Sequence, residues 1–353
     1  MNFSSRVRGC LMAGALGDSF GSAVEPGIGH SFGPDFGAIG LLDLSQLPQP
    51  VHFSEKTQLS LFTVDALVEA IDWANQGVAA DHIACLWLSY LRWLRSQGEA
   101  IPEGAPQPPG RWIDRQQVLS HRRKPDRSCL SSLLSGEMGT LAKPVSPEAN
   151  GCGSLTRSAP FGLIPYLEAG TVAKMSMEGA ALTHGHPTAI QASAAFSWLI
   201  HQLAVQELGL IEAAESMQSY LTDLRADPEL LTRLEQAVQE PGEQFRDERD
   251  EAASNRGESA ADILALALSS VLSTASTSPS PKAHYLAAIR TASRLQGKSA
   301  SLVGNILGAH YGESCLPESW LQMSEAPELI YAMAESLLTV TGDRVARPDS
   351  SVG

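Results

Sequence analysis

Helical periodicity constrains this chain more than any other feature. Over its 353 residues, polar positions recur at spacings of three, four and seven, and few stretches alternate strictly as a half-buried strand would. After Thr57, polar residues fall at Gln58, Asp65, Glu69, Asp72 and Gln76, with Phe62, Leu67, Val68 and Ile71 between them. On a helix this makes one wet stripe and one face for a core. Asp81 can cap a second helix at 83–95, which carries Trp87, Leu88, Leu91 and Leu94. Pro187 opens a third that is expected to run to about 208, and 259–272 is apolar nearly all round, as a central helix must be. Segments 27–50 and 101–110 are rich in Gly and Pro, and 240–256 is charged and expected to be solvated. No internal repeat divides the chain. The expectation is one compact all-α domain over residues 1–341, followed by a flexible tail at 342–353.

Charge and cysteine usage exclude several function classes. With 25 basic and 39 acidic residues, the net charge of −14 offers no field for a phosphate backbone, which argues against nucleic-acid binding. No apolar run reaches the roughly 20 residues of a membrane-spanning helix. The N-terminus lacks a secretory pattern, and the five cysteines are scattered without a CxxC pair. A cytoplasmic protein with free thiols is expected.

Four local motifs carry candidate chemistry. Gly14, Gly17 and Gly21 give one helix face without side chains, open to another helix or to a ligand, with Asp18 and Glu25 beside it. Ser54-Glu55-Lys56-Thr57 stands at a helix start, where Ser54 suits a cap and Glu55 the positive end of the dipole. Around Gly151, Cys152, Gly153 and Ser154, small residues expose backbone N–H groups, and Arg157 is suited to bind a carboxylate or phosphate. Cys152 itself reads as a buried, inert thiol. His184 and His186 read as hydrogen-bonded residues of a helix-starting turn, because no third metal ligand is evident nearby.

Taken in order, these segments resemble the ADP-ribosylglycohydrolase family from Arg6 to about Leu338. The matching stretches are GCLMAGALGDSFGSAVE at 9–25, SEKTQLSLFT at 54–63, NGCGSLTRSAPFGL at 150–163, THGHP at 183–187 and GNILGAHYG at 304–312. The resemblance implies a compact orthogonal multi-helix bundle. It also implies hydrolysis of a glycosidic link to ADP-ribose, with two Mg²⁺ or Mn²⁺ ions held by carboxylates. One set of ligands comes from a Ser/Thr-Asp-Asp-Thr motif at a helix start. The other comes from an Asp-Ser/Thr-Asp turn before the Gly-Asn or Gly-Ala helix near the C-terminus.

This sequence departs from both motifs. The first reads Ser54-Glu55-Lys56-Thr57, and the second region, residues 297–304, contains no carboxylate. Counting from the Ala288-Ile289 helix places Lys298 at the first lost aspartate. Counting back from Gly304-Asn305 gives a turn about three residues shorter, and neither register restores an aspartate. An ammonium cannot ligate a hard cation, so the two metals are expected to be absent and no metal ligand is assigned. Either Lys56 and Lys298 take over the electrostatic role of the cations opposite Glu25 and Glu55, or both point to solvent from a collapsed pocket.

The resemblance then implies a binding site of Asp18, Ser54, Lys56, Gly151, Cys152, Gly153, Ser154, Arg157 and Lys298. The leading expectation is a pseudoenzyme that binds an ADP-ribose-like molecule or a protein partner. Such a partner would be an ADP-ribosyltransferase whose toxicity an immunity protein blocks. Two alternatives stay open: a metal-independent hydrolase using Glu25 or Glu55 as general base, and a structural protein with a vestigial pocket.

Overall fold

The computed structural model describes residues 2–25, 41–242, 259–295 and 297–345. Its helices are α1 (Phe3–Val24), α2 (Glu55–Asn75), α3 (His82–Ser96), α4 (Arg127–Leu134), α5 (Ala169–Ala181), α6 (Pro187–Ala204) and α7 (Leu210–Asp223). They continue as α8 (Pro228–Gln239), α9 (Ala260–Ala275), α10 (Pro281–Leu295), α11 (Ala300–Tyr311), α12 (Glu318–Met323) and α13 (Pro327–Val345). Two isolated β-bridges, Val51 with Ser324 and Gly151 with Ser259, are the whole β content of the described residues. The fold is all-α. No helix among the described residues is long and apolar enough to cross a membrane.

The caps fall where side-chain chemistry places them. Asp81 accepts hydrogen bonds from the Ile83 and Ala84 amides at the start of α3, and Ser54 accepts from the Lys56 amide at the start of α2. Helix α6 ends at Ala204 and not near 208. The Val205 and Gln206 amides both close on the His201 carbonyl, and Glu207 then turns left-handed with φ 59°. Helix α13 runs to Val345. Residues 26–40, 243–258 and 346–353 lie outside the described part, and with them much of the Gly/Pro-rich, charged and C-terminal segments singled out above.

The core is centred on α1, α6, α9 and α11. From Ala260 to Val271 every residue of α9 is buried, as an all-round apolar helix requires. The glycine face of α1 lies against α11 and the turn before it. A Cβ added to Gly17 would stand 2.3 Å from the Ala300 carbonyl oxygen, and one on Gly304 2.0 Å from that of Ala13. The two backbones are in contact, which only residues without side chains permit. The face therefore serves a helix and not a ligand. Asn305 Nδ2 and Tyr285 Oη donate to the α1 carbonyls of Cys10 and Ala13, each at 2.8 Å, and fasten the contact.

This packing brings four segments to one end of the bundle. They are the last turns of α1, the first turn of α2, the 297–299 turn and the 150–157 loop. The loop is held by the Gly151–Ser259 bridge and by the Ala260 amide donating to the Asn150 carbonyl at 2.9 Å.

Candidate functional site

Asp18 joins α1 to α2. One carboxylate oxygen accepts from the Ser54 amide (2.8 Å), the Thr57 amide (3.3 Å) and Thr57 Oγ1 (2.7 Å), and the other from Ser54 Oγ (2.6 Å). A buried carboxylate at the positive end of α2 gains from the helix dipole as well as from these donors. Three of these four bonds fall on Oδ2, and Oδ1 accepts only the one from Ser54 Oγ.

Lys56 turns back over this cap. Its Nζ lies 3.1 Å from Glu25 Oε1, 3.3 Å from Ser54 Oγ, and 3.8 Å from both Asp18 Oδ1 and Glu55 Oε1. The side chain is only 7% exposed, so the ammonium is surrounded by acceptors. Burial alone would pull its pKa down. The charges of Glu55, Asp18 and Glu25 overcome that and hold it above the usual lysine range. Glu55 is raised too, which for a carboxyl favours the neutral form: burial pushes it up to about 7, against the pull of Lys56 and with the help of Asp18 and Glu25. The expectation that set Lys56 and Lys298 opposite Glu25 and Glu55 left out Asp18, which adds a third carboxylate to the cluster around Lys56.

A cleft of about 1590 Å³ opens above this cluster. Glu25, Ser54, Glu55 and Lys56 line one side, and Gly151, Cys152, Gly153 and Lys298 another. Cys152 is buried, which pushes its thiol up to about 12 although Lys298 and Lys56 both favour the thiolate. That leaves it inert as a nucleophile. Residues 121–127, His-Arg-Arg-Lys-Pro-Asp-Arg, form a further wall. There Arg123 pairs with Glu325 and lies over Phe53, 4.6 Å from the ring centroid.

A model of the ADP-ribosylglycohydrolase family matches residues 1–346. The chain belongs to this family. Among solved structures, one described as an ADP-ribosylglycohydrolase-related protein complex has a similar fold at a TM-score of 0.61 and 19% identity. That similarity covers 96% of this chain and 99% of the other. None of the curated proteins is similar enough in sequence to count as a match.

In this ADP-ribosylglycohydrolase family member, three of the residues expected to bind a ligand do not line the cleft. Arg157 is the clearest correction. It is 1% exposed, stacks over Tyr90 with 4.2 Å to the ring centroid, and donates to the Gly179 carbonyl (3.2 Å) and Thr183 Oγ1 (2.8 Å). Those partners make it a core cross-link between α5 and the Leu155–Arg157 turn. Ser154 is buried as well, its Oγ accepting from Ser193 Oγ at 3.1 Å. Asp18 lies behind Ser54. His186 caps α6 by accepting from the Thr188 amide, whereas His184 is fully buried, with Nδ1 2.9 Å from Thr183 Oγ1. Burial, with the Arg157 charge nearby, pulls the His184 pKa down and favours the neutral ring. Sequence reasoning missed the 121–127 wall. The signal was four Lys or Arg in seven residues of an acidic chain.

Proposed function

We propose that this protein binds an ADP-ribosyl-type ligand in the cleft without the family's pair of divalent cations, and that it is a pseudoenzyme. The observation that carries this reading is the Lys56 ammonium, held 3.1–3.8 Å from three carboxylates. The donor set does not suit a pair of hard cations. Such ions need carboxylate oxygens with free lone pairs, whereas Asp18 Oδ2 already accepts three hydrogen bonds, and Oδ1, which accepts one, lies 3.8 Å from the Lys56 ammonium. An ion 4 Å from Lys56 would also be repelled by roughly 4–8 kcal/mol at an effective dielectric of ~20. An open cleft lined by Glu25, Gly153 and Lys298 favours a ligand over a vestigial pocket. Lys298 and the 121–127 wall supply positive charge for a diphosphate.

A second reading has one specific observation behind it. Glu55 lines the cleft and titrates near 7, the range in which a carboxylate serves as general base. A metal-independent hydrolase would use it to activate water at the anomeric carbon. Calorimetry with ADP-ribose, with and without Mg²⁺, tests both readings when paired with a turnover assay on an ADP-ribosylated substrate. Binding independent of Mg²⁺ and no turnover is the expected result. Binding that requires Mg²⁺ would overturn the metal-free site, and turnover without metal would establish the hydrolase. No binding at all would move the reading to a protein partner.

A further inference from the structure

Asp126, Cys129 and His184 meet beside the cleft in an arrangement that the proposed ligand site does not use. One donor atom from each, a carboxylate oxygen, the thiol sulfur and a ring nitrogen, lies within 4.8 Å of the other two. Local structure explains the meeting. Asp126 caps α4, Oδ1 accepting from the Cys129 amide at 2.9 Å, so the i, i+3 spacing stacks carboxylate and thiol over one turn. His184 comes from the loop between α5 and α6. Gly153 allows the approach, since a Cβ there would stand 2.9 Å from His184 Cε1 and 3.0 Å from Asp126 Oδ1.

His184 supplies the second, independent observation. Its Nδ1 is engaged by Thr183. Nε2 is fully buried, has no hydrogen-bond partner, and stands 3.6 Å from Asp126 Oδ1. Buried ring nitrogens ordinarily find a partner. Two donors bound tetrahedrally to one zinc-sized ion at about 2.1 Å lie about 3.4 Å apart, close to the separation seen here.

We propose that Asp126, Cys129 and His184 bind one zinc-type divalent ion, whose fourth position faces the cleft that Asp126 and Gly153 line. One oxygen, one sulfur and one neutral imidazole nitrogen select a borderline ion such as Zn²⁺ or Co²⁺ over Mg²⁺ or Ca²⁺. On binding, the metal–sulfur bond replaces the S–H bond of Cys129, and the proton leaves to solvent. Arg157 Nη1 lies 3.5 Å from Cys129 Sγ. Its charge favours the thiolate and opposes the ion, so binding depends on the Cys129 thiolate and the Asp126 carboxylate together offsetting it. Its other nitrogen holds the Thr183 hydroxyl that contacts His184.

The site does not depend on what fills the cleft. Co²⁺ titrated into the metal-free full-length chain and followed by optical absorption tests it directly. One equivalent is expected to produce a thiolate-to-cobalt charge-transfer band and tetrahedral ligand-field bands, all abolished by one equivalent of Zn²⁺. The charge-transfer band is expected to vanish in Cys129→Ser and to persist in Cys152→Ser. Asp126→Asn is expected to weaken binding about 10-fold or more. Absence of the band in the unaltered chain, or its persistence in Cys129→Ser, would overturn the proposal, as would its loss in Cys152→Ser. The first and last of these outcomes hold even if Cys129→Ser does not fold.

Discussion

Lys56 and Glu55 are neighbours whose ionisation is set by the same burial and by each other. Removing the ammonium leaves Asp18, Glu25 and Glu55 facing one another in a low-dielectric pocket. Lys56→Ala is therefore expected to lose about 3–5 kcal/mol, the usual cost of orphaning buried charge. Lys56→Asp puts a carboxylate where the family motif has one, and its melting temperature is expected to rise with added Mg²⁺ while that of the unaltered protein stays level. A Mg²⁺-dependent rise in the unaltered protein would refute the metal-free reading. Glu55 carries a pH dependence of the opposite sign to an ordinary ion-paired carboxylate. Its folded pKa of about 7 exceeds the ordinary glutamate value of 4.5, so the folded state holds the proton more tightly. Its contribution is present below pH 4.5 and is lost as pH rises through about 7, by roughly 3 kcal/mol at most. Melting curves between pH 5 and pH 8 should show Glu55→Gln gaining stability relative to the parent as pH rises. Parallel curves would refute the raised pKa. None of this was legible locally. Ser54-Glu55-Lys56-Thr57 reads as a capping turn, and it is one; what makes it a site is Asp18 and Glu25 arriving from α1.

Elements meet here through backbone contact as much as through side chains. Glycines in α1 read from the sequence as a smooth face, but their partner was legible only as a choice between helix and ligand. Periodicity describes one element at a time and cannot name what packs on it. Contact with α11 and the 297–299 turn settles the choice. At Gly17 the obstacle is the Ala300 carbonyl, 2.3 Å from an added Cβ, and a backbone atom cannot swing away. Gly17→Ala is expected to destabilise by about 1–3 kcal/mol, even though alanine is the better helix former by about 1 kcal/mol. Gly170, in the first turn of α5, has nothing within 4 Å of an added Cβ. Gly170→Ala should be neutral or slightly stabilising, up to about 1 kcal/mol. Thermal unfolding of the two variants side by side checks the contrast, and equal effects would mean that the α1–α11 approach is not tight. Helix ends were legible where a cap is a short-range event, as at Asp81 and Ser54. They were misplaced at α6, where the stop is a left-handed Glu207 with no glycine to announce it.

Across the whole molecule, the net charge of −14 is unevenly spread, and the cleft lining is close to balance. Lys56, Lys298 and the basic residues of 121–127 gather on one cleft, although they are distant in sequence. The chain's order of apolar and polar residues determined the helical class, the caps at Ser54 and Asp81, the all-round burial of α9 and the family resemblance, because each depends on spacings within a few turns. It also showed that lysine and glutamate stand where paired aspartates are usual, since that is a matter of residue identity. Only the tertiary structure decided which charges share a pocket. It put Lys56 among three carboxylates, withdrew Arg157 into the core against Tyr90, and set the orphaned nitrogen of His184 beside Asp126. Electrostatic energy depends on distance and burial, and for residues far apart in sequence both are set by how the helices pack.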